Sequence, residues 1–219
     1  MVKIVRRCMG YMQRLFYFMN KLFFLIIFIL SFFSHQRNTI WKNEYIIWKD
    51  VTLKSPGRGT PHINLGNAYI RRGVLDKAER EFLLAREVNE LDARAYSGLG
   101  VVYFQKGLLD EAIKIYQFII TGKPDFAPAY NNLGVVYMEK GFLDEAIKEF
   151  KTTIRLDPNF SDAYANLGLV YKKKGLLKEA MYNLEQALRL SPEHRDAGGH
   201  LDEVIKLLRG GAWQVHDHP

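Results

Sequence analysis

Three asparagines stand at the same position of a repeating pattern and could bind a peptide backbone. Asn132 belongs to the stretch NNLG, and Asn64 and Asn166 precede the same Leu-Gly pair in near-copies of it. A carboxamide carries both a hydrogen-bond donor and an acceptor, which complement the C=O and N–H of a peptide bond. A ladder of such side chains could hold an extended polypeptide without reading its sequence. The alternative is that these asparagines merely belong to a repeating fold.

Residues for covalent or metal chemistry are scarce. The single cysteine is Cys8, and the sequence has no phosphate-binding loop, no His-x3-His pair and no Ser–His–Asp set. His216 and His218 have no third ligand nearby in the sequence, which disfavours a metal site. We therefore expect no enzyme activity, no metal, no cofactor and no small-molecule substrate.

The asparagines are positioned by four consecutive units of 34 residues, 59–92, 93–126, 127–160 and 161–194. In each unit a Leu-Gly pair and a tyrosine recur at spacings of one helix face, and a further tyrosine precedes them in the last three units. A glycine then supplies the left-handed residue that ends this first helix. Acidic residues open the second helix of three units, where they complement exposed amides; these are Asp76, Asp110 and Asp144.

This pattern resembles the tetratricopeptide repeat, a helix-turn-helix unit with a Leu-Gly-x-x-Tyr and Ala-x3-Phe signature. The resemblance covers residues 59–194 and implies an all-α, right-handed solenoid whose first helices line a concave groove. The small pair Gly66 and Ala78, and its equivalents, would let two helices approach closely. The candidate groove residues are Asn64, Asn67, Arg71, Val101, Phe104, Asn131, Asn132, Val135, Met138, Asn166, Leu169 and Lys172.

Two known modes of binding bear on this groove. The asparagine ladder resembles that in the repeats of the nucleocytoplasmic O-linked N-acetylglucosamine transferase, although asparagine is common there across the repeat family. The chaperone-tail clamps of the family combine asparagines with basic side chains. Asn67 and Asn132 match that clamp, but its basic residues are missing, so we do not expect one. The partly apolar floor suits a helix or a mixed peptide.

The segments that flank the repeats read as caps. Residues 41–58 predict a capping helix that resembles a lone second helix and covers the first unit. Residues 195–209 place apolar residues on one stripe of a predicted carboxy-terminal capping helix, which solenoids need for solubility. The tail, 210–219, is expected to be disordered.

The amino-terminal segment, 1–40, carries a predicted membrane anchor. The run 15–33 is long enough to cross a bilayer as a helix, although Asn20 and Lys21 interrupt it. A cleaved signal peptide and a buried core helix are the alternatives. Most basic residues of this segment precede the run, which predicts a cytoplasmic amino terminus and repeats on the far side of the membrane.

The same segment accounts for the high net charge. The chain holds 31 Lys and Arg against 24 Asp and Glu, a formal charge of +7. Six of the basic residues and none of the acidic ones lie in 1–40, so the rest of the chain is nearly neutral. The nearly neutral composition after residue 40 does not indicate a basic surface that could contact a phosphate backbone. We therefore do not expect nucleic-acid binding.

A second resemblance concerns Arg37 to Tyr69, with its Arg-Asn, Trp-Lys-Asp and Lys-Ser-Pro elements. It is similar to the junction between the last membrane helix and the repeats of O-mannosyltransferase-like multi-spanning membrane proteins. The catalytic residues of that family lie upstream of the junction, so the resemblance implies no transferase activity here.

These observations predict a membrane-anchored scaffold that binds a polypeptide partner in its groove and assembles a complex. An accessory subunit or remnant of a protein glycosyltransferase system, presenting acceptor polypeptides, is the alternative. A soluble secreted adaptor, released by cleavage near Ser34, is the third hypothesis.

Overall fold

The structure, a computed structural model, describes the backbone of residues 44–214 and the side chains of residues 44–209. These residues form ten α-helices and no β-strand. The chain divides between Ser55 and Pro56 into two units. Helix α1, Glu44–Lys54, belongs to the first unit, and the remaining helices form the second.

The second unit consists of alternating first and second helices followed by one longer helix. The first helices, α2, α4, α6 and α8, span Gly59–Arg71, Ala93–Gln105, Ala127–Glu139 and Ser161–Lys173. The second helices, α3, α5, α7 and α9, span Leu75–Val88, Leu109–Gly122, Leu143–Leu156 and Leu177–Leu190. Helix α10 spans Arg195–Gln214. The predicted all-α solenoid is therefore confirmed.

A left-handed glycine ends every first helix, as the sequence predicts. The φ angles of Gly73, Gly107, Gly141 and Gly175 lie between 70° and 81°. At Gly141 the amide donates to the Met138 carbonyl, and the next amide donates to that of Tyr137, which closes the helix end. An L-residue would be strained in this conformation.

In the first three repeats the Leu-Gly glycine makes room for an aromatic ring of the second helix, whereas in the fourth Gly168 faces Leu184 and the Ala180 carbonyl. A Cβ on Gly134 would lie 2.7 Å from Cε1 of Phe150, and one on Gly100 would lie 2.5 Å from Cζ of Tyr116. Both rings are almost fully buried. The core is continuous between repeats because these rings pack with apolar residues of the following first helix.

The contacts between helices show which side of the solenoid is concave. Successive first helices touch one another, from α2 to α4 and on to α10. Within the described residues, no such contact joins successive second helices. The first helices therefore follow the shorter arc and line the concave face, as predicted.

Ion pairs join each repeat to the next along one edge. Lys106 Nζ lies 2.7 Å from Asp76 Oδ1, and Lys140 and Lys174 pair in the same way with Asp110 and Asp144. The carboxylates lie in the first turns of second helices, and no side chain caps those helices. The acidic residues therefore link neighbouring repeats in addition to complementing helix ends.

The ends of the chain differ in part from the prediction. Helix α10 continues to Gln214, past residue 209, because glycines lower helix propensity without forcing a helix to stop. The predicted span, 15–33, and residues 215–219 lie outside the described part. Between residues 44 and 214, no helix is both long and apolar enough to cross a membrane.

Candidate peptide-binding groove

The groove floor is apolar along its middle. Val101, Val135 and Leu169 are half-buried at equivalent positions of successive first helices. Phe104 and Met138 lie one helical turn further on and pack partly against the core. The floor therefore combines binding surface with packing, and its residues present only part of their side chains to a ligand.

A chain of hydrogen-bonded amides crosses the groove beside this floor. Asn166 Nδ2 donates to Asn131 Oδ1 at 3.1 Å. Asn131 Nδ2 lies 3.4 Å from Asn132 Oδ1, and Asn132 Nδ2 lies 3.4 Å from the hydroxyl of Ser97. The repeat pattern predicts these amides as separate ligands. The structure joins them into one network, so each keeps only part of its capacity for a partner.

Asn131 contributes mainly through this network. Asn131 is only 7% exposed, whereas Asn132 and Asn166 are half-buried. Burial raises the pKa of the Tyr116 phenol, and an interaction with the Asn132 side chain opposes that shift. The Asn132 side chain therefore lies close to a core tyrosine.

The ladder is interrupted at Gly98 for a steric reason. A Cβ at this position would lie 2.2 Å from Cε1 of Phe82, a ring of the preceding repeat with no exposed surface. Any side chain here would displace that ring. The glycine is therefore required by packing between repeats, and Asn64 is separated from the other ladder residues.

The amino-terminal end of the groove holds the remaining predicted residues. Asn64 and Asn67 are half-buried on α2, and Arg71 is exposed at the end of that helix. A partly buried pair joins α2 to α3, in which Nδ1 of His62 lies 2.7 Å from a Glu81 carboxylate oxygen. The other ring nitrogen lies 3.1 Å from the Pro56 carbonyl.

A cavity of about 340 Å³ opens at the carboxy-terminal end of the groove. Three predicted residues line it: Asn131, Asn166 and Leu169. Asp162 and Ala165, which the 34-residue frame also places on the groove side, line it too, and the residues that the prediction does not include are His194, Asp196 and His200. The signal was present, because Asp196 and His200 follow Asp162 and Asn166 by one repeat length.

The histidines and charges around this cavity are ordered by internal contacts. His194 Nδ1 accepts from the amide of Ala197 at 3.3 Å, and its Nε2 lies 3.2 Å from Asp162 Oδ1. Lys172 Nζ lies 3.3 Å from His200 Nδ1 and pairs with Glu203. This lysine lowers the pKa of the Glu203 carboxyl through a hydrogen bond. Lys172 therefore brings little free positive charge to the groove.

A second cavity, of about 280 Å³, lies away from the candidate residues and is mainly apolar. Its lining includes Leu91, which is 85% exposed, and Phe118, which is 51% exposed. The ring centroids of Phe118 and Tyr96 are 4.7 Å apart. In the described part of the chain, no group of three or more His, Cys, Asp or Glu side chains is arranged to hold a metal ion.

Comparisons with known proteins identify the repeat. Three family models described as TPR or tetratricopeptide repeats match residues 63–125, 136–175 and 161–194. No curated protein matches the chain.

Many solved structures share the fold. MamA is 28% identical over 73% of this chain and 94% of that chain, with a TM-score of 0.56. TTC0263, a thermophilic TPR protein of Thermus thermophilus, is 18% identical over 79% and 95%, with a TM-score of 0.69. The first TPR of Spaghetti (RPAP3), bound to an HSP90 peptide, is 24% identical over 53% and 93%, with a TM-score of 0.52.

Proposed function

Because this chain is a tetratricopeptide-repeat protein, we propose that it is a non-catalytic scaffold that binds a polypeptide segment in its concave groove. One observation carries this proposal. A row of amides runs beside a half-buried apolar floor and ends in an open cavity on the same face. The amides complement peptide groups, and the floor accepts apolar side chains.

The likeness to the RPAP3 repeat concerns the fold. That protein holds an HSP90 peptide, which illustrates what a groove of this fold can contain. The proposal for this chain rests on its own groove, where Asn67 and Asn132 match the asparagines of such a clamp but its basic residues are missing.

Site-specific photo-crosslinking in native membranes tests this proposal. The reactive group replaces Val135, which is half-buried on the groove floor. A matched reporter replaces Lys148, which is exposed on the second helix α7. We expect a discrete polypeptide adduct from position 135 only. Equal capture from both positions, or none from either, would exclude a working groove.

We also propose that residues 15–33 anchor the chain with its amino terminus in the cytoplasm and its repeats on the opposite side. The apolar run and the preceding basic residues support this arrangement. Alkaline extraction of membranes tests the anchor, and the amino-terminal sequence of the mature protein tests cleavage near Ser34. A soluble protein that begins after Ser34 would favour the secreted adaptor instead.

The alternative function, an accessory subunit that presents acceptor polypeptides to a glycosyltransferase, is favoured by the junction-like sequence from Arg37 to Tyr69. The crosslinking experiment separates the two. This alternative would be supported if the trapped polypeptide carries O-linked sugar and a multi-spanning transferase is present in the same complex.

A further inference from the structure

We propose that helix α10 extends the groove, and that Asn166 and His200 together bind an extended partner segment that carries a lysine or arginine. This inference rests on the proposed function and specifies the partner of the same groove. It assigns a binding role to a helix that the sequence marks only as a cap.

Helix α10 occupies the place of a fifth first helix. It begins at Arg195, one repeat length after Ser161, and it packs against both α8 and α9. Ala197 and Val204 have no exposed surface, just as Ala163 and Val170 have none at the equivalent positions of α8. The register is therefore that of the repeats, and it brings His200 to the ladder position that Asn166 holds in α8.

The hydrogen bonds around these two residues define what they offer to a ligand. Asn166 uses one hydrogen of Nδ2 for Asn131, which leaves its Oδ1 as an acceptor. The ammonium of Lys172 can only donate, so Nδ1 of His200 accepts from it. The ring proton then lies on Nε2, which can donate. An acceptor on one helix and a donor on the next match the N–H and C=O groups of an extended peptide.

The charges around the cavity indicate which type of side chain the bound partner segment carries. Lys172 and Glu203 neutralise each other. Asp162 and Asp196 remain at the cavity, and both are exposed. His194 contacts the first of them. A lysine or arginine complements these carboxylates, whereas an acidic side chain would be repelled. A volume of about 340 Å³ lies within the range of small ligand sites.

The experiment measures binding of purified full-length protein, in detergent micelles, to a positional-scanning library of capped fluorescent heptapeptides. Fluorescence anisotropy reports affinity and sequence preference. The test variants are His200→Leu, His200→Asn and Asp196→Asn. Asp202→Asn is the matched control, because Asp202 is exposed on the same helix but does not line the cavity. Circular dichroism melting checks that each variant is folded.

We expect the library to select lysine or arginine at one position and His200→Leu to weaken binding by about tenfold, the effect of one lost hydrogen bond. The variant His200→Asn should retain binding, because it restores the amide of the other ladder positions. Asp196→Asn should reduce the basic preference by about threefold, the effect of an exposed ion pair. The control should bind like the wild type.

Two contrary results separate this inference from the proposed function. Binding that is unchanged in His200→Leu, or a selection for acidic residues, would overturn the role of α10 and leave the groove in place. No binding of any library peptide to the wild type, together with no adduct from position 135, would overturn both.

Discussion

Single positions in this protein are constrained by rings that lie between helices. Gly134 and Gly98 each face a buried phenylalanine at a distance that leaves no room for a Cβ atom. The two positions have different effects on function, because Gly134 lies in the packed Leu-Gly pair whereas Gly98 interrupts the asparagine ladder. The ladder is thus limited by core packing as well as by ligand binding.

We predict that Gly134→Ala lowers the free energy of unfolding by about 1–3 kcal/mol, because the new methyl group overpacks the site against Phe150. Gly122→Ala is the control. That glycine lies in α5 with no neighbouring atom within 4 Å of its Cβ position, and alanine favours helix by up to about 1 kcal/mol. Urea denaturation measures both. Equal effects of the two substitutions would contradict the packing argument.

Glu149 gives a prediction that depends on pH. Burial raises the pKa of this half-buried carboxyl on α7, partly opposed by Lys148. A raised pKa in the folded state means that stability is greatest below the unfolded pKa and falls as pH rises through the folded value. Glu149→Gln should therefore stabilise the protein at pH 7, by less than about 1 kcal/mol because solvent screens the site.

The effect of Glu149→Gln should become much smaller near pH 4, where the carboxyl is mostly protonated in both states. Melting temperatures at the two pH values measure it. The same change at Glu145, exposed on the same helix, serves as the control and should have little effect at either pH. A stabilisation that persists unchanged at pH 4 would exclude burial as the cause.

At the scale of helices, the repeats are joined by apolar rings inside and by ion pairs at one edge. The lysine at the end of a first helix pairs with the aspartate that opens the second helix of the preceding repeat. In the fourth repeat the position of the aspartate is taken by Lys178. The charge pattern therefore changes where the array of repeats ends, and α10 carries Leu208 at the position of the pairing lysine.

We expect Asp110→Asn to lower the melting temperature slightly at pH 7 and low ionic strength. The hydrogen bond with Lys140 lowers the pKa of the Asp110 carboxyl. A lowered folded pKa contributes stability above the unfolded value, and that stability is lost as pH falls through the folded value. The difference from wild type should decrease as pH falls below the unfolded value of about 4 and through the lower folded value, and it should shrink in 1 M salt.

The control for this ion pair is Asp125→Asn, because Asp125 is exposed in the loop after α5. It should change the melting temperature little under the same conditions. A decrease for Asp110→Asn that is independent of both salt and pH would indicate a packing effect instead.

At the scale of the whole second unit, helix α10 closes the apolar core. Ala180, Leu184 and Ala187 of α9 have no exposed surface and cluster with Ala197 and Val204 of α10. Without α10 this apolar face of α9 would be exposed to solvent. Solenoids whose terminal apolar face is uncapped tend to aggregate.

A chain that ends at His194 should therefore lose at least about 2 kcal/mol of stability, the value of one buried valine side chain, and should bind a hydrophobic dye. A chain that ends at Arg209 keeps the packed part of α10 and is the control. Sedimentation and dye fluorescence measure the difference. Equal solubility of both chains would contradict a capping role for α10.

The sequence by itself determined the fold, because the 34-residue period places leucines, glycines and aromatics where a helix pair must pack and turn. It also identified the concave helix face and residues such as Asn166 and Leu169, since position within the repeat fixes position on the helix. Asp162 and Ala165 could be placed there by the same rule.

The tertiary structure decided which groove residues are available. In the folded chain the asparagines hydrogen-bond to one another, and Lys172 forms an ion pair with Glu203. His194 and His200 line the cavity. These outcomes depend on distances between side chains of different helices, and on the continuation of the repeat register into α10. A local pattern specifies how one helix folds, whereas the pairing of polar groups is set only when neighbouring helices have packed.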